Sequence, residues 1–453
     1  MPTVGLSMIV KNGEATLRPC LESVRGMVQQ IVIADTGCTD KTCDIAQEFG
    51  ATIIQFPWQN HFAKARNAAL RAMTTDWVLI LDADEELDAE AEKHIPGLLQ
   101  STGVGGYVTP IRNYVPSRFT RAWDRVAVPN DYRHSRATNA PAFVAHENCR
   151  FFRRHPDIYF TGRVHEAVED QVKAAGLKLA GAPFHIHHFG QLSALTVKDE
   201  KAKFYRELLR LKAQEQPTNP LAWMQLGLHE FECFNNAEEA LSCLERALAL
   251  EPGASDAWIF KGMVLLSLER PQQAMAALQN VSPQSRGAAL REQLRGDALS
   301  GLQQMEEARV AYRKALKLNA NDPIVESKLG FTEVRLGHKI AGLAKLTRAA
   351  DMAPGVLEVQ DRLIKAYLLL HMLPEAADAA ERLIQIVAHP KLFLRTASIC
   401  AQLEQWDRVM NILVRGLELF PESAELLKAR DEVIATKTVQ ANAEEKAQAK
   451  SAG

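Results

Sequence analysis

Two aspartates one residue apart, Asp82 and Asp84 with Ala83 between them, follow directly on the apolar run Trp77–Leu81. Carboxylates fixed at the end of a buried strand can hold a hard divalent cation, and that cation can neutralise a bound diphosphate. Acids solvated in an ordinary turn are the alternative. Two other runs bear on the choice. Ile31–Thr42 reads IVIADTGCTDKT, a second apolar run ending in an acid, Asp35, and a glycine turn, and the first run ends in Lys11-Asn12-Gly13-Glu14. Three strand ends that deliver polar groups to one edge are more than one stray acidic turn.

Three later segments can also carry chemistry. Ile158–Glu169, IYFTGRVHEAVE, reads as a strand followed by Val164-His165-Glu166 opening a helix, where Glu166 is either a proton acceptor or a stabiliser of the helix N-terminus. Ala182–Gly190, APFHIHHFG, has His185 and His187 alternating along a strand and His188 on its other face. A zinc site made of these histidines lacks a cysteine or a fourth ligand nearby. Between Arg112 and Arg163 lie ten arginines interrupted by Tyr114, Trp123, Tyr132 and Phe143. Such a basic stretch can clamp a diphosphate or an acidic acceptor, or serve as a surface loop or an interface with the second half. It carries no recognised RNA-binding motif.

The elements that must position these groups alternate strand and helix. Strands are expected at Gly5–Val10, Gln30–Asp35, Thr52–Phe56 and Asp76–Asp82, and helices at Thr16–Val24, Asp40–Phe49 and Phe62–Met73. That alternation implies a parallel sheet covered on both faces, a doubly wound α/β domain with its ligand site beyond the carboxyl ends of the strands. Asp40 and Thr42 are expected to cap the helix that follows them.

At 453 residues the chain is too long for one core. Its 53 Lys+Arg against 55 Asp+Glu give a net charge of −2, so no bulk field favours nucleic acid or an anionic membrane. No apolar run approaches the roughly 20 residues of a membrane-spanning helix, and MPTVGLSMIVKNGE has no secretory leader pattern. Seven scattered cysteines suit a reducing, cytoplasmic setting. The pairs Cys38/Cys43 and Cys233/Cys243 have no partner pair at metal-site spacing, so no metal is expected there.

Beyond residue 191 the chain reads as helix. Thr196–Gln214 is a charged connector helix within residues 192–219. A period of 34 then appears: Ala240, Ala274, Ala308, Gly342 and Ala376, continued by Val409. A second series, Gly227, Gly262, Gly296, Gly330 and Ala366, runs about thirteen residues ahead of it. A third, Pro252, Pro283, Ala320, Pro354, Ala388 and Pro421, marks the ends of the second helices. Small residues let paired helices cross closely and prolines stop each repeat, so about six tetratricopeptide repeats are expected over 220–421. With a closing helix at Ala424–Val433 this all-α solenoid spans 220–434, and the polar tail 435–453 is expected to be disordered.

The first half resembles the GT-A glycosyltransferases of family 2. The motifs Asn12-Gly13-Glu14, Ala34-Asp35-Thr36-Gly37-Cys38-Thr39-Asp40-Lys41-Thr42, Ala65-Arg66-Asn67 and Asp82-Ala83-Asp84 match that family in order and spacing over about 90 residues. With Phe56-Pro57-Trp58 and His61-Phe62 they look closest to the bacterial branch that carries tetratricopeptide repeats, which includes peptide glycosyltransferases of the SunS type. Cys38 departs from the usual serine, and a thiol is the poorer hydrogen-bond partner.

The resemblance implies a GT-A, Rossmann-like nucleotide-sugar domain over residues 1–191. It implies that Asp35 bonds the base of a nucleotide diphosphate sugar, a UDP-sugar in the first instance, with Val10 and Glu14 in the same pocket. Asp82 and Ala83 would face the ribose or donor sugar, and Arg66 the phosphate or sugar, or else a strand-end acid. Asp84 and His188 would hold Mn2+ or Mg2+, and Glu166 would be the base of an inverting transfer. The acceptor would be a polypeptide, or the repeats would bind a partner protein. A repeat scaffold with an inactive front domain is the second reading. A nucleotidyltransferase would need a glycine-rich basic phosphate loop after the first strand, and a processive polysaccharide synthase a Gln-x-x-Arg-Trp motif and membrane helices; neither is present.

Overall fold

The computed structural model describes residues 2–116, 121–122, 125–130, 134–193 and 198–451. The chain divides into two compact units, Met1–Phe260 and Lys261–Gly453. No helix among the described residues is long and apolar enough to cross a membrane.

In the first unit, strands β1 (Val4–Val10), β2 (Gln30–Asp35), β3 (Thr52–Gln55) and β4 (Trp77–Ile80) form the parallel part of a sheet in the order β3-β2-β1-β4. Val10 pairs with Asp35, and Ser7 with Ile80, so the carboxyl ends of β1, β2 and β4 emerge side by side. β1, β2 and β4 are largely buried on both faces, which explains their near-continuous apolar runs. Helix Phe62–Arg71 lies close to β1 and β2 because its inward residues, Ala63 and Ala69, are small; its start is capped by His61 Nδ1, which accepts from the Lys64 amide.

Beyond β4 the sheet is mixed, not parallel as the alternation implied. β5 (Glu85–Leu87), β6 (Val104–Val115) and the long strand Ala142–Arg153 continue it, and Ala142–Arg153 runs antiparallel to both β4 and β6. Among the described residues only short elements lie between β6 and Ala142–Arg153, and the two strands pair antiparallel. Strand Ile186–His188 fits between β6 and β5, with His188 opposite Asn113 on one side and Glu85 on the other. Of the basic stretch, Arg112, Arg121, Arg125, Arg150 and Arg153 lie on strands.

The connector, Lys198–Glu215, and the first helix pair, Pro220–Phe234 and Ala237–Leu250, belong to the same unit as the sheet. Leu208, Leu209 and Ala213 of the connector share a core with Val164, Ala222, Leu226 and Cys243.

Among the described residues six helix pairs follow one another from Pro220 to Leu419. The small residues of the 34-residue series sit at their crossings: Ala240, Ala274, Ala308 and Ala376 are fully buried. In the second unit Gly330 and Gly342 face each other so closely that a Cβ on either would lie within 2.8 Å of the other's carbonyl oxygen. The last helix runs Ala424–Ser451. It takes in most of the tail expected to be disordered, because the Ala, Glu, Lys and Gln that fill this tail are strong helix formers.

Candidate active site

The first corner lies at the ends of β1 and β2. Asp35 Oδ1 accepts from the amides of Gly37 and Cys38 at 2.9 and 2.8 Å. Against the upward push of burial, these bonds hold its carboxyl at about 2. Asn12, with φ of 52°, turns its side chain to accept the Thr39 amide, and Gly13 donates to Thr42 Oγ1 at 2.8 Å. Asp40 accepts from the Thr42 and Glu14 amides, and Glu14 from the Lys41 amide. Two loops far apart in sequence are thus tied into one rim beside the buried Val10. Cys38 and Cys43 come together with Asp35 here, which their spacing did not signal; burial first, and Asp35 next to it, push the Cys38 thiol up to about 12.

Next to it runs a chain of alternating acids and arginines. Arg66, 7% exposed, bonds Glu166 Oε1 through Nε at 2.5 Å and Asp82 Oδ1 through Nη2 at 2.8 Å. Arg150 reaches Asp82 Oδ2 at 3.5 Å and Glu85 Oε1 at 2.9 Å, and Glu85 Oε2 accepts from the Asp82 amide. Burial would raise the Asp82 carboxyl, but Arg66 and then Arg150 hold it well below the carboxylate range; for Glu85 burial prevails and its carboxyl is raised. Arg66 thus makes the ion pair with a strand-end acid, Asp82, that was one of its two readings.

The metal pair expected from the sequence meets in space. His188 Nε2 lies 3.3 Å from Asp84 Oδ2, and the Phe189 amide donates to the Asp84 carbonyl. Asn113 spends its amide group on the Val144 carbonyl, so its oxygen faces His188 Nδ1 at 2.6 Å and must accept the Nδ1 proton. That leaves the Nε2 lone pair pointing at a carboxylate oxygen. Two acceptors at this distance need a cation between them, a proton or a metal ion. The proton fits: burial lowers His188, but Asp84 and the neighbouring acids raise it overall. A divalent ion fits equally, since adjacent ligands with bonds of about 2.1 Å lie about 3 Å apart. Gly190 completes the cradle, because a Cβ there would sit 2.5 Å from Asp84 Oδ2 and 2.7 Å from His188 Nε2.

Glu166 does not open a helix. Ile158–Phe160 is not a strand and the helix begins at Glu169. Gly162 and His165 take φ of 99° and 52°, turning Val164-His165-Glu166 into a loop closed by the bridge Thr161–Ala167. The helix-stabilising reading of Glu166 therefore falls. The loop is held by the connector: Lys212, 4% exposed, donates to the Val164 carbonyl at 2.9 Å and to Gln225 Oε1 at 3.0 Å. Arg163 binds the Asn60 carbonyl and makes a two-pronged ion pair with Glu215.

His187, Arg136, Arg153 and Arg112 have structural partners. His187 is fully buried, bonded to Tyr114 and 3.3 Å from Asp88. Arg136 pairs with Glu86, Arg153 caps the Ser101 and Val104 carbonyls, and Arg112 lies over the Phe143 ring. Arg118, Trp123, Asp124, Asp131, Tyr132 and Arg133 lie outside the described residues, as do the side chains of Arg121 and Arg125. Asn113, Arg150, Glu85 and Lys212 were not singled out for the site; their only signal is long-range pairing. Tyr205 of the connector joins them, pushed up to about 12 by burial and then by Glu166 and Asp82.

Residues 6–159 match the family model Glycosyl transferase family 2, and residues 189–332 match Tetratricopeptide repeat-like domain. Glu166 and His188 lie between the two matches. A TPR repeat-containing protein of Synechococcus elongatus is 34% identical over 38% of this chain and 37% of its own length. An uncharacterized glycosyltransferase of Rickettsia felis is 31% identical over 24% of this chain and 38% of its own. The prophage-derived glycosyltransferase SunS of Bacillus subtilis is 24% identical over 54% of this chain and 53% of its own. The chain thus spans between about a third and a half of these curated relatives.

Proposed function

From a chain that joins a glycosyltransferase family 2 domain to a tetratricopeptide repeat-like domain, we propose an inverting, metal-dependent transfer of a sugar from a nucleotide diphosphate sugar to an acceptor engaged by the repeats. The observation that carries this reading is the cradle of Asp84, His188 and Gly190 beside Asp82, on the sheet edge where Asp35 also lies.

Asp35 and the rim formed by Val10 and Glu14 bind the nucleoside, with a UDP-sugar as the first donor to try. Mn2+ or Mg2+, held by Asp84 and His188, supplies positive charge to the diphosphate. Asp82 and Ala83 face the donor sugar or ribose. Glu166 removes the acceptor proton as the nucleophile attacks the anomeric carbon in line and the bond to the diphosphate oxygen breaks. Arg66 holds Glu166 and Asp82 in one frame, so the base and the sugar contact keep a fixed spacing. The relative SunS carries the name glycosyltransferase, and a polypeptide acceptor suits a repeat array, whose concave surfaces take extended chains.

Thermal unfolding with UDP, GDP, TDP or CDP, each with and without Mn2+, tests the donor site. One diphosphate is expected to raise the midpoint in a metal-dependent way, and Asp84→Ala to remove that rise with the fold intact. No rise with any of the four would favour a repeat scaffold with an inactive front domain.

A further inference from the structure

We propose that Asp35, Cys38 and Cys43 form a site for a thiophilic divalent cation of the zinc class, and that this cation and the nucleotide base exclude one another. The three residues converge at the end of β2, each offering a ligand atom within 4.8 Å of the other two. Asp35 Oδ2 is 3.5 Å from Cys43 Sγ. Around tetrahedral zinc, bonds of about 2.3 Å to sulfur and 2.0–2.2 Å to oxygen set neighbouring ligand atoms about 3.6–3.8 Å apart. That edge is already at length, and the others close with a small shift of either thiol.

The surroundings suit bound thiolates. The Asn12 amide points at Cys38 Sγ from 3.3 Å, a donor for a coordinated sulfur. Asp35 spends Oδ1 on the Gly37 and Cys38 amides, so Oδ2 is the oxygen turned to Cys43. Both cysteines are partly exposed and neither is in a disulfide, so an ion reaches them without unfolding. Binding forms two metal–sulfur bonds and one metal–oxygen bond and releases the two thiol protons to solvent; water or the solute takes the fourth position. This cluster is separate from the Asp84–His188 pair, whose ligands are oxygen and nitrogen and select a harder ion. The exclusion of nucleotide rests on the reading of Asp35 as the partner of the base; the ion site does not.

Cobalt(II) added to the reduced full-length protein tests both halves. Sulfur-to-cobalt charge-transfer absorption is expected in the near ultraviolet, saturating at one ion per chain and erased by Zn2+. An ion at Asp84 and His188 gives no such band. Cys43→Ser and Cys38→Ser, checked for native circular dichroism, are each expected to weaken cobalt binding at least tenfold, and UDP to raise the apparent dissociation constant of the wild type. Absence of the band, or affinity within twofold of wild type in both variants, overturns the site. A thiolate–cobalt site indifferent to saturating UDP overturns the exclusion and counts against Asp35 as the base partner, while the ion site stands.

Discussion

The Arg66 guanidinium joins Glu166 to Asp82, with Nε 2.5 Å from one carboxylate and Nη2 2.8 Å from the other. Residues 100 positions apart are thereby fixed in one frame. Arg66 uses only one oxygen of Glu166, so the other is left for an acceptor proton. Glu166→Gln keeps the shape and an oxygen for Arg66 but cannot take the proton. It is expected to bind donor within twofold of wild type and to lose turnover by ~10²–10⁴. Isothermal titration of donor beside steady-state kinetics reads both, and retained turnover would move the base elsewhere.

Lys212 ties the base loop to the first repeat helix, Pro220–Phe234. Its ammonium is buried, lowered by that burial, and is spent on the Val164 carbonyl and Gln225. Lys212→Met keeps the packing but leaves two buried acceptors without this donor, a cost of about 1–3 kcal/mol. The expected result is a lower unfolding midpoint and a fall in kcat with donor affinity unchanged. A fall in donor affinity alone would mean that the connector acts on the nucleotide corner instead.

Gly190 is required by space, not by backbone conformation. An alanine methyl would meet Asp84 Oδ2 and His188 Nε2 inside van der Waals contact. Gly190→Ala is therefore expected to abolish the metal-dependent part of nucleotide stabilisation while circular dichroism stays native. Unchanged metal dependence would show that the ion is held elsewhere.

How much of this was legible beforehand depends on the range of each signal. The ends of β1, β2 and β4 were readable because apolar runs closing on Asp35 or Asp82 are local patterns, and the repeats because Ala240, Ala274 and Ala308 recur at a fixed interval. The sheet beyond Val104 was not, since a strand such as Val104–Val115, broken by two glycines, a proline and Arg112, carries no clean alternation. The element that carries Glu166 was misplaced: positive φ at Gly162 and His165 makes a loop where the sequence reads as a helix start. Asn113 fixes His188 across 75 residues and Lys212 fixes Val164 across 48, so neither has a local signature.

Asp88 gives the strand of His188 an acid-sensitive anchor. Burial would raise its carboxyl, but His187 and the Glu90 amide hold it at about 2, and it is 4% exposed. The unfolded chain takes up this proton near pH 3.9. The anchor is thus fully present above that pH and lost as pH falls toward 2, worth about 2 kcal/mol at neutrality. Asp88→Asn is expected to lower stability at pH 7 by roughly that amount and to flatten the loss between pH 4 and pH 2. Parallel wild-type and variant denaturation curves across that window would contradict it.

The repeat half makes its own demand at Gly330 and Gly342. A Cβ on Gly342 would lie 2.6 Å from the Gly330 carbonyl oxygen and 2.8 Å from the Val334 nitrogen, all of it backbone that cannot rotate away. The helices Pro323–Arg335 and Lys339–Met352 would have to part, and overpacking of this kind costs typically 1–3 kcal/mol. In open solvent the same change would favour the helix by about 1 kcal/mol, because alanine is the better helix former. The sign therefore separates the two effects: Gly342→Ala is expected to lower the denaturant midpoint with an unchanged slope. A rise would mean that the crossing is looser than a glycine–glycine contact.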